Sequence, residues 1–181
     1  MARLLRSVAV TFVVVVLAPP AGAQTADASH QWARGTELAV STGVASDDVH
    51  TGPMVAGSIG WSVTRRIAVE GRGAWYDRGA NTHGFGVDLG ASVSPLPWAQ
   101  VAPYVGAGFG LYRASFDVAG ANSLTDPAFR LSGGLDVAMR AHISIRPELS
   151  AVLVRRDGRT DRMATFGIRV GYRFEQRAGA P

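Results

Sequence analysis

One pattern recurs eight times along this chain and constrains its fold more than any other feature. Apolar side chains alternate with small or polar ones over residues 35–44, 53–63, 67–76, 84–94, 103–113, 128–138, 143–154 and 162–174. Period two puts alternate side chains on opposite faces of a strand. In 84–94, Phe85, Val87, Leu89, Ala91 and Val93 oppose Gly84, Gly86, Asp88, Gly90 and Ser92. In 103–113, Val105, Ala107, Phe109 and Leu111 oppose Tyr104, Gly106, Gly108, Gly110 and Tyr112. A tilted strand of about ten residues is long enough to cross a bilayer. The pattern predicts an all-β fold, an eight-stranded antiparallel up-and-down transmembrane β-barrel over residues 35–174.

The connections support that order. Those after the second, fourth and sixth segments ("TRR", "PLPWA", "RAH") are short. The others, "ASDDVHT", "DRGANTH", "ASFDVAGANSLTDP" and "RRDGRTD", are polar and mostly longer. Short periplasmic turns alternating with longer external loops are the habit of outer-membrane barrels. A soluble sandwich or calyx also alternates, but it turns its apolar face inwards. Here the apolar faces are broad and end in Trp61, Trp75, Phe85, Tyr172 and Phe174, with Trp98 in a turn. That arrangement fits interfacial girdles.

If the apolar faces meet lipid, the other faces line the lumen. They carry five acids, Glu37, Glu70, Asp88, Asp136 and Glu148, and five arginines, Arg72, Arg130, Arg146, Arg169 and Arg173. An eight-stranded barrel is just wide enough for side chains to fill. Charges in so narrow a space need partners. The balanced set predicts a paired, occluded lumen, because a conducting pore more often shows one sign in excess at its constriction. Glycines on that face leave room for arginine on the next strand, and Tyr104 and Tyr112 are placed to lean over neighbouring glycines.

The N-terminus reads as an export signal. Arg3 and Arg6 precede the apolar run 8–18, and Ala21-Gly22-Ala23 fits a small-x-small cleavage site. The expected organisation is a signal peptide at 1–23, a periplasmic segment at 24–34, the barrel at 35–174 and a tail at 175–181, in the cell outer membrane. The chain has no cysteine, which excludes disulfides and thiolate metal sites. All its basic residues are arginine. Cleavage after Ala23 leaves 16 arginines against 14 acids. That near-balance is not the charge footprint of a nucleic-acid binder. The glycines of 103–113 do not lead from a strand into a helix, as a dinucleotide fingerprint demands.

Four stretches, "GWSVTRRIAVEGRGAWYDRG", "PYVGAGFGLYR", "GGLDVAM…ISIRPELS" and "FGIRVGYRF", resemble the small eight-stranded outer-membrane barrels of Gram-negative bacteria, the OmpA/OmpX-like superfamily, without a peptidoglycan-binding domain. The resemblance implies a C-terminal signal for the barrel-assembly machinery at Phe166, Ile168, Val170, Tyr172 and Phe174, although "EQRAGAP" follows where the family usually ends. It implies outer-membrane lipid and lipopolysaccharide as surroundings, an extracellular partner of unspecified identity, and no cofactor. The expected role is structural or interactive, through envelope integrity or the outer loop 114–127. The alternatives are a small pore or solute transporter and a lipid A-modifying enzyme.

An acyl-transfer enzyme needs a nucleophilic Ser with His and an acid in reach. Of four histidines, only His83 starts a strand near the outer rim, where Ser115 and Asp117 are the residues that approach it. A solvated loop histidine is the simpler reading, so no catalytic or metal residues are assigned. "SDD" (46–48) is too small a set for calcium, which takes six or more oxygens. "RRDGR" (155–159) is basic enough to meet lipid phosphates.

Overall fold

The computed structural model describes residues 35–64, 66–79, 82–96, 101–116, 123–140 and 142–175, leaving the side chains of Arg140 and Glu175 undescribed. The expected signal peptide, the segment 24–34, Trp98, Asp117 and the tail after Glu175 lie outside these residues. The strands are β1 (Gly35–Ser46), β2 (Thr51–Ser62), β3 (Ile67–Asp77), β4 (Thr82–Val93), β5 (Val101–Phe116), β6 (Leu124–Arg140), β7 (Ile143–Arg156) and β8 (Arg159–Glu175). Each pairs antiparallel with the next, and β8 returns to β1, closing the barrel.

The register fixes the tilt. Starting at Thr36, the pairs run through Trp61, Val69, Ala91, Ala107, Leu131, Ala151 and Ala164, then return to β1 at Ser46, ten residues further along. That shear in eight strands corresponds to a tilt of roughly 40°. Eleven residues at this tilt rise about 25 Å, the height of a lipid-facing band. The band is present. Leu38, Val40, Ile59, Val69, Val87, Leu89, Val105, Phe109, Leu131, Phe166 and Val170 are among its exposed side chains. Trp61, Tyr172 and Phe174 edge it at the end with the chain termini, and Trp75 and Phe85 at the other.

The loops are shorter than the sequence implied. The expected loop "RRDGRTD" is strand up to a two-residue hairpin turn, Asp157-Gly158, with φ of 45° and 78°. Positive φ at both central residues defines the turn whose twist matches its flanking strands, and Asp-Gly is the dipeptide that supplies it. The loop expected over 114–127 is similarly shortened, since β5 runs through Phe116 and β6 begins at Leu124. "ASDDVHT" contracts to a tight turn in which Asp47 Oδ1 accepts the N–H groups of Val49 and His50, each at 2.8 Å. Side-chain acceptors of this kind hold chain reversals without a long loop.

The candidate functional site in the barrel interior

The inward positions form two levels. At the end with the chain termini, where strands begin and end at Gly35, Ser62, Val101 and Glu175, the interior is charged. At the loop end it is apolar.

The ten charged residues singled out in the sequence all point inwards and fall into two neutral groups. In the first, Arg130 Nη2 lies 2.7 Å from Glu70 Oε1 and 2.8 Å from Asp88 Oδ1. Arg169 joins Glu70 at 2.6 Å and Glu148 at 2.9 Å. Arg72 completes the group more loosely, 3.7 Å from Glu148. Among the described residues, its only hydrogen bond goes to Met54 Sδ, also at 3.7 Å, and its Nε has no partner. In the second group, Arg146 and Arg173 share Glu37 Oε2 at 2.8 and 2.7 Å and flank fully buried Asp136 at 3.0 and 3.8 Å.

Tyr104 joins the two groups. Its hydroxyl donates to Glu148 Oε2 at 2.7 Å, and the Arg146 guanidinium stands 5.9 Å from its ring centroid. Ser150 Oγ donates to the other oxygen of Glu148 at 3.0 Å. Glu148 is therefore the most connected acceptor in the lumen. An ionised carboxylate has about four lone-pair sites, and here both its oxygens are engaged.

The glycines make this packing possible. A Cβ on Gly108 would lie 2.7 Å from Asp88 Oδ1, in the space through which Arg130 reaches across β5 from β6. A Cβ on Gly84 would lie 2.0 Å from the Tyr112 hydroxyl. Tyr112 thus crosses from β5 over a glycine of β4, the arrangement called aromatic rescue.

Above the charges, Met54, Tyr76, Tyr112, Val152, Val154 and Met163 are buried with Ala45, Ala56, Ala74 and Ala114. The Tyr76 and Tyr112 ring centroids are 5.9 Å apart. Sequence reasoning placed Tyr112 inwards but missed this level. The signal was available: Val152 and Val154 continue the parity of Glu148 and Ser150, and Met163 that of Thr165. Between the levels, Ser41, Met54, Arg72, Glu148, Thr165 and Arg169 line a cavity of only about 10 Å³. That is at the lower limit for a single water molecule.

Among the described residues, polar contacts cover the loop end. Arg78, just beyond β3, reaches Asp47 of the β1–β2 turn at 2.5 Å and donates to the Tyr112 hydroxyl at 3.0 Å. Partial burial opposes ionisation of Asp47, but the two backbone N–H donors and the Arg78 guanidinium outweigh it and lower its pKa. Arg156 Nε pairs with Asp126 at 2.8 Å between β7 and β6.

The remaining candidates lie on the outer surface. Register sets His83 opposite Asp77 on one side and Ser115 on the other, all on the outward face. Asp77 Oδ1 accepts the Gly79 N–H at 2.8 Å, and the His83 ring lies 5.6 Å from Trp75. Among the described residues, no three His or carboxylate side chains converge as a metal site would require. The proposed assembly-signal residues Phe166, Ile168, Val170, Tyr172 and Phe174 form one exposed outward row on β8, the strand that closes the barrel on β1.

Solved structures share this fold at low identity. Neisserial surface protein A is 16% identical with a TM-score of 0.64, covering 78% of this chain and 97% of that one. The N-terminal barrel of Pseudomonas aeruginosa OprF is 14% identical with a TM-score of 0.58, covering 77% and 99%. The outer-membrane enzyme PagL is 14% identical with a TM-score of 0.50, covering 76% and 99%. No curated protein matches the chain. Residues 10–174 match the family described as outer membrane protein beta-barrel domain, and with the closed eight-stranded architecture this match places the chain in that family.

Proposed function

We propose that this outer-membrane barrel is non-conducting and serves the envelope as a structural or surface-interaction protein. One observation carries the reading: the interior is filled twice over, by neutral ion-pair groups at one level and packed apolar side chains at the other. A hydrated pore of this diameter needs polar walls and free cross-section. The apolar level is lined chiefly by aliphatic side chains and tyrosine rings, and the charged level has no excess of either sign.

In this reading the short turns and chain termini face the periplasm and the hairpin ends at 46–51, 77–82, 116–124 and 156–159 face outwards, as in barrels of this kind. Lipid and lipopolysaccharide surround the apolar band. The outward row Phe166–Phe174 is read by the barrel-assembly machinery, a role suited to the strand that must close on β1. The signal at 1–23 is cleaved before assembly. The test is solute retention. Vesicles containing the folded protein and loaded with a small fluorescent anion should keep it as long as protein-free vesicles do. Rapid release proportional to protein content would favour the pore reading.

A further inference from the structure

Four of the lumen arginines, Arg130, Arg146, Arg169 and Arg173, reach a carboxylate oxygen at 2.6–2.8 Å. Arg72 stops 3.7 Å short of Glu148 Oε1. Register sets Arg72 directly opposite Asp88 on β4, where a cross-strand ion pair would ordinarily form. Arg130 holds that carboxylate instead, donating to Asp88 Oδ1 from Nε at 3.1 Å and from Nη2 at 2.8 Å. Arg72 turns towards the apolar level, where Met54 Sδ accepts from its Nη2 at 3.7 Å. The Arg72 side chain is only 2% exposed. Among the described residues its Nε and Nη1 have no hydrogen-bond partner. A buried guanidinium left in that state is costly.

Arg72 and Glu148 both line the cavity of about 10 Å³ between the two levels. The rest of its wall is mixed in character. Arg169 supplies N–H donors, and the Ser41 and Thr165 hydroxyls can donate or accept. Gly167 of β8 keeps the space open. A Cβ there would lie 3.0 Å from the Thr42 carbonyl oxygen and 3.2 Å from Met54 Cε. A polar contact longer than about 3.5 Å beside a cavity of this size is the geometry of a bridged pair.

We infer that this cavity is a binding site for a single water molecule that joins Arg72 to Glu148. The water accepts an N–H of Arg72 and donates to Glu148 Oε1. The Ser41 and Thr165 hydroxyls supply its remaining partners. A buried water ordinarily has about three such partners. The charges select the class of ligand. Arg72, Arg130 and Arg169 balance Glu70, Asp88 and Glu148. A halide would add a negative charge with no counter-ion and would meet Glu148. A metal cation would meet two guanidiniums. A neutral molecule that both donates and accepts meets neither obstacle. The water also makes Arg72 the tie between the levels, with Nη2 on Met54 and the rest of the guanidinium held to Glu148 through solvent.

The site rests on the closed lumen proposed above, and the two are tested apart, since solute retention reports on closure alone. For the site, the wild-type barrel is crystallised from sodium bromide and its structure determined at a resolution that shows ordered solvent. One isolated peak of water density should appear in the cavity, at about 2.7–3.2 Å from an Arg72 nitrogen and from Glu148. It should carry no anomalous signal at the bromine edge. Arg72→Met removes the donors and Gly167→Ala puts a methyl group against the cavity, so each should lose the peak. Heat-modifiable gel migration confirms that each variant is folded. A bromine signal in the cavity would overturn the assignment in favour of an anion. No density in the wild type, with Arg72 bonded directly to Glu148, would overturn the site, and so would an unchanged peak in Arg72→Met. A file of waters running through the lumen would overturn the single site, and only with rapid solute release would it also overturn closure.

Discussion

The two levels of the lumen are built on the same strands with the same alternation, yet they hold together differently. In the charged level, Glu148 meets three arginines and Glu70 two, and every charge depends on its neighbours. In the apolar level, Met54, Tyr76, Tyr112 and Val154 act chiefly by filling space. Removing one member of a buried charged group leaves its partners uncompensated. Removing one apolar side chain leaves a cavity that neighbours partly refill. The charged level therefore resists change as a unit, whereas the apolar level yields in proportion to the volume lost.

That contrast orders the expected effects. Glu148→Ala, which leaves Arg169, Arg130 and Arg72 short of an acceptor, should cost roughly 3–5 kcal/mol in denaturant unfolding from vesicles. Arg169→Ala in the same background should recover part of that loss; strict additivity of the two would show that the level is not a coupled unit. Tyr112→Ala in the apolar level should cost about 3 kcal/mol, scaling with cavity volume, and Tyr112→Phe much less.

The Arg78–Asp47 contact at the mouth is partly exposed, so Arg78→Gln should cost no more than about 1 kcal/mol, less in high salt. Asp47 has a folded pKa below its ordinary value. Its contribution is therefore complete above the unfolded value of about 3.9 and disappears as the pH falls below it. The part of the difference between wild type and Arg78→Gln that depends on ionised Asp47 should vanish in that acid range, leaving the part from the Arg78–Tyr112 hydrogen bond. An undiminished difference at about pH 2 would show that the ion pair contributes nothing and that Arg78 acts through its Tyr112 hydrogen bond and packing.

The smallest expected effect is none. Ser115→Ala should leave lipid A unchanged, with no deacylated product from either protein. Product from the wild type that the variant fails to make would turn the Asp77–His83–Ser115 row into an active site.

Alternation made the wall legible in the sequence. Each segment's inward set, from Glu37 on β1 to Arg173 on β8, follows from parity, because a strand has only two faces. Height did not follow. Whether Val152 belongs to lipid or lumen depends on continuing the parity of Glu148 past Ser150, and its neighbours Met163 and Arg130 come from other strands through the register. Ion-pair partners are hidden for the same reason. Arg130 of β6 meets Glu70 of β3 only because glycines on β4 and β5 leave the crossing open. The turn at Asp157-Gly158 was legible from its dipeptide alone, but the polar flanks "RR" and "RTD" suggested loop where the strands continue.

Closure of the lumen at both levels is the claim on which the functional reading stands, and single-channel recording in planar bilayers tests it most directly. The wild-type barrel should insert without steady conductance steps. Reproducible openings of the wild type at modest voltage, with the barrel folded as judged by heat-modifiable migration, would contradict it.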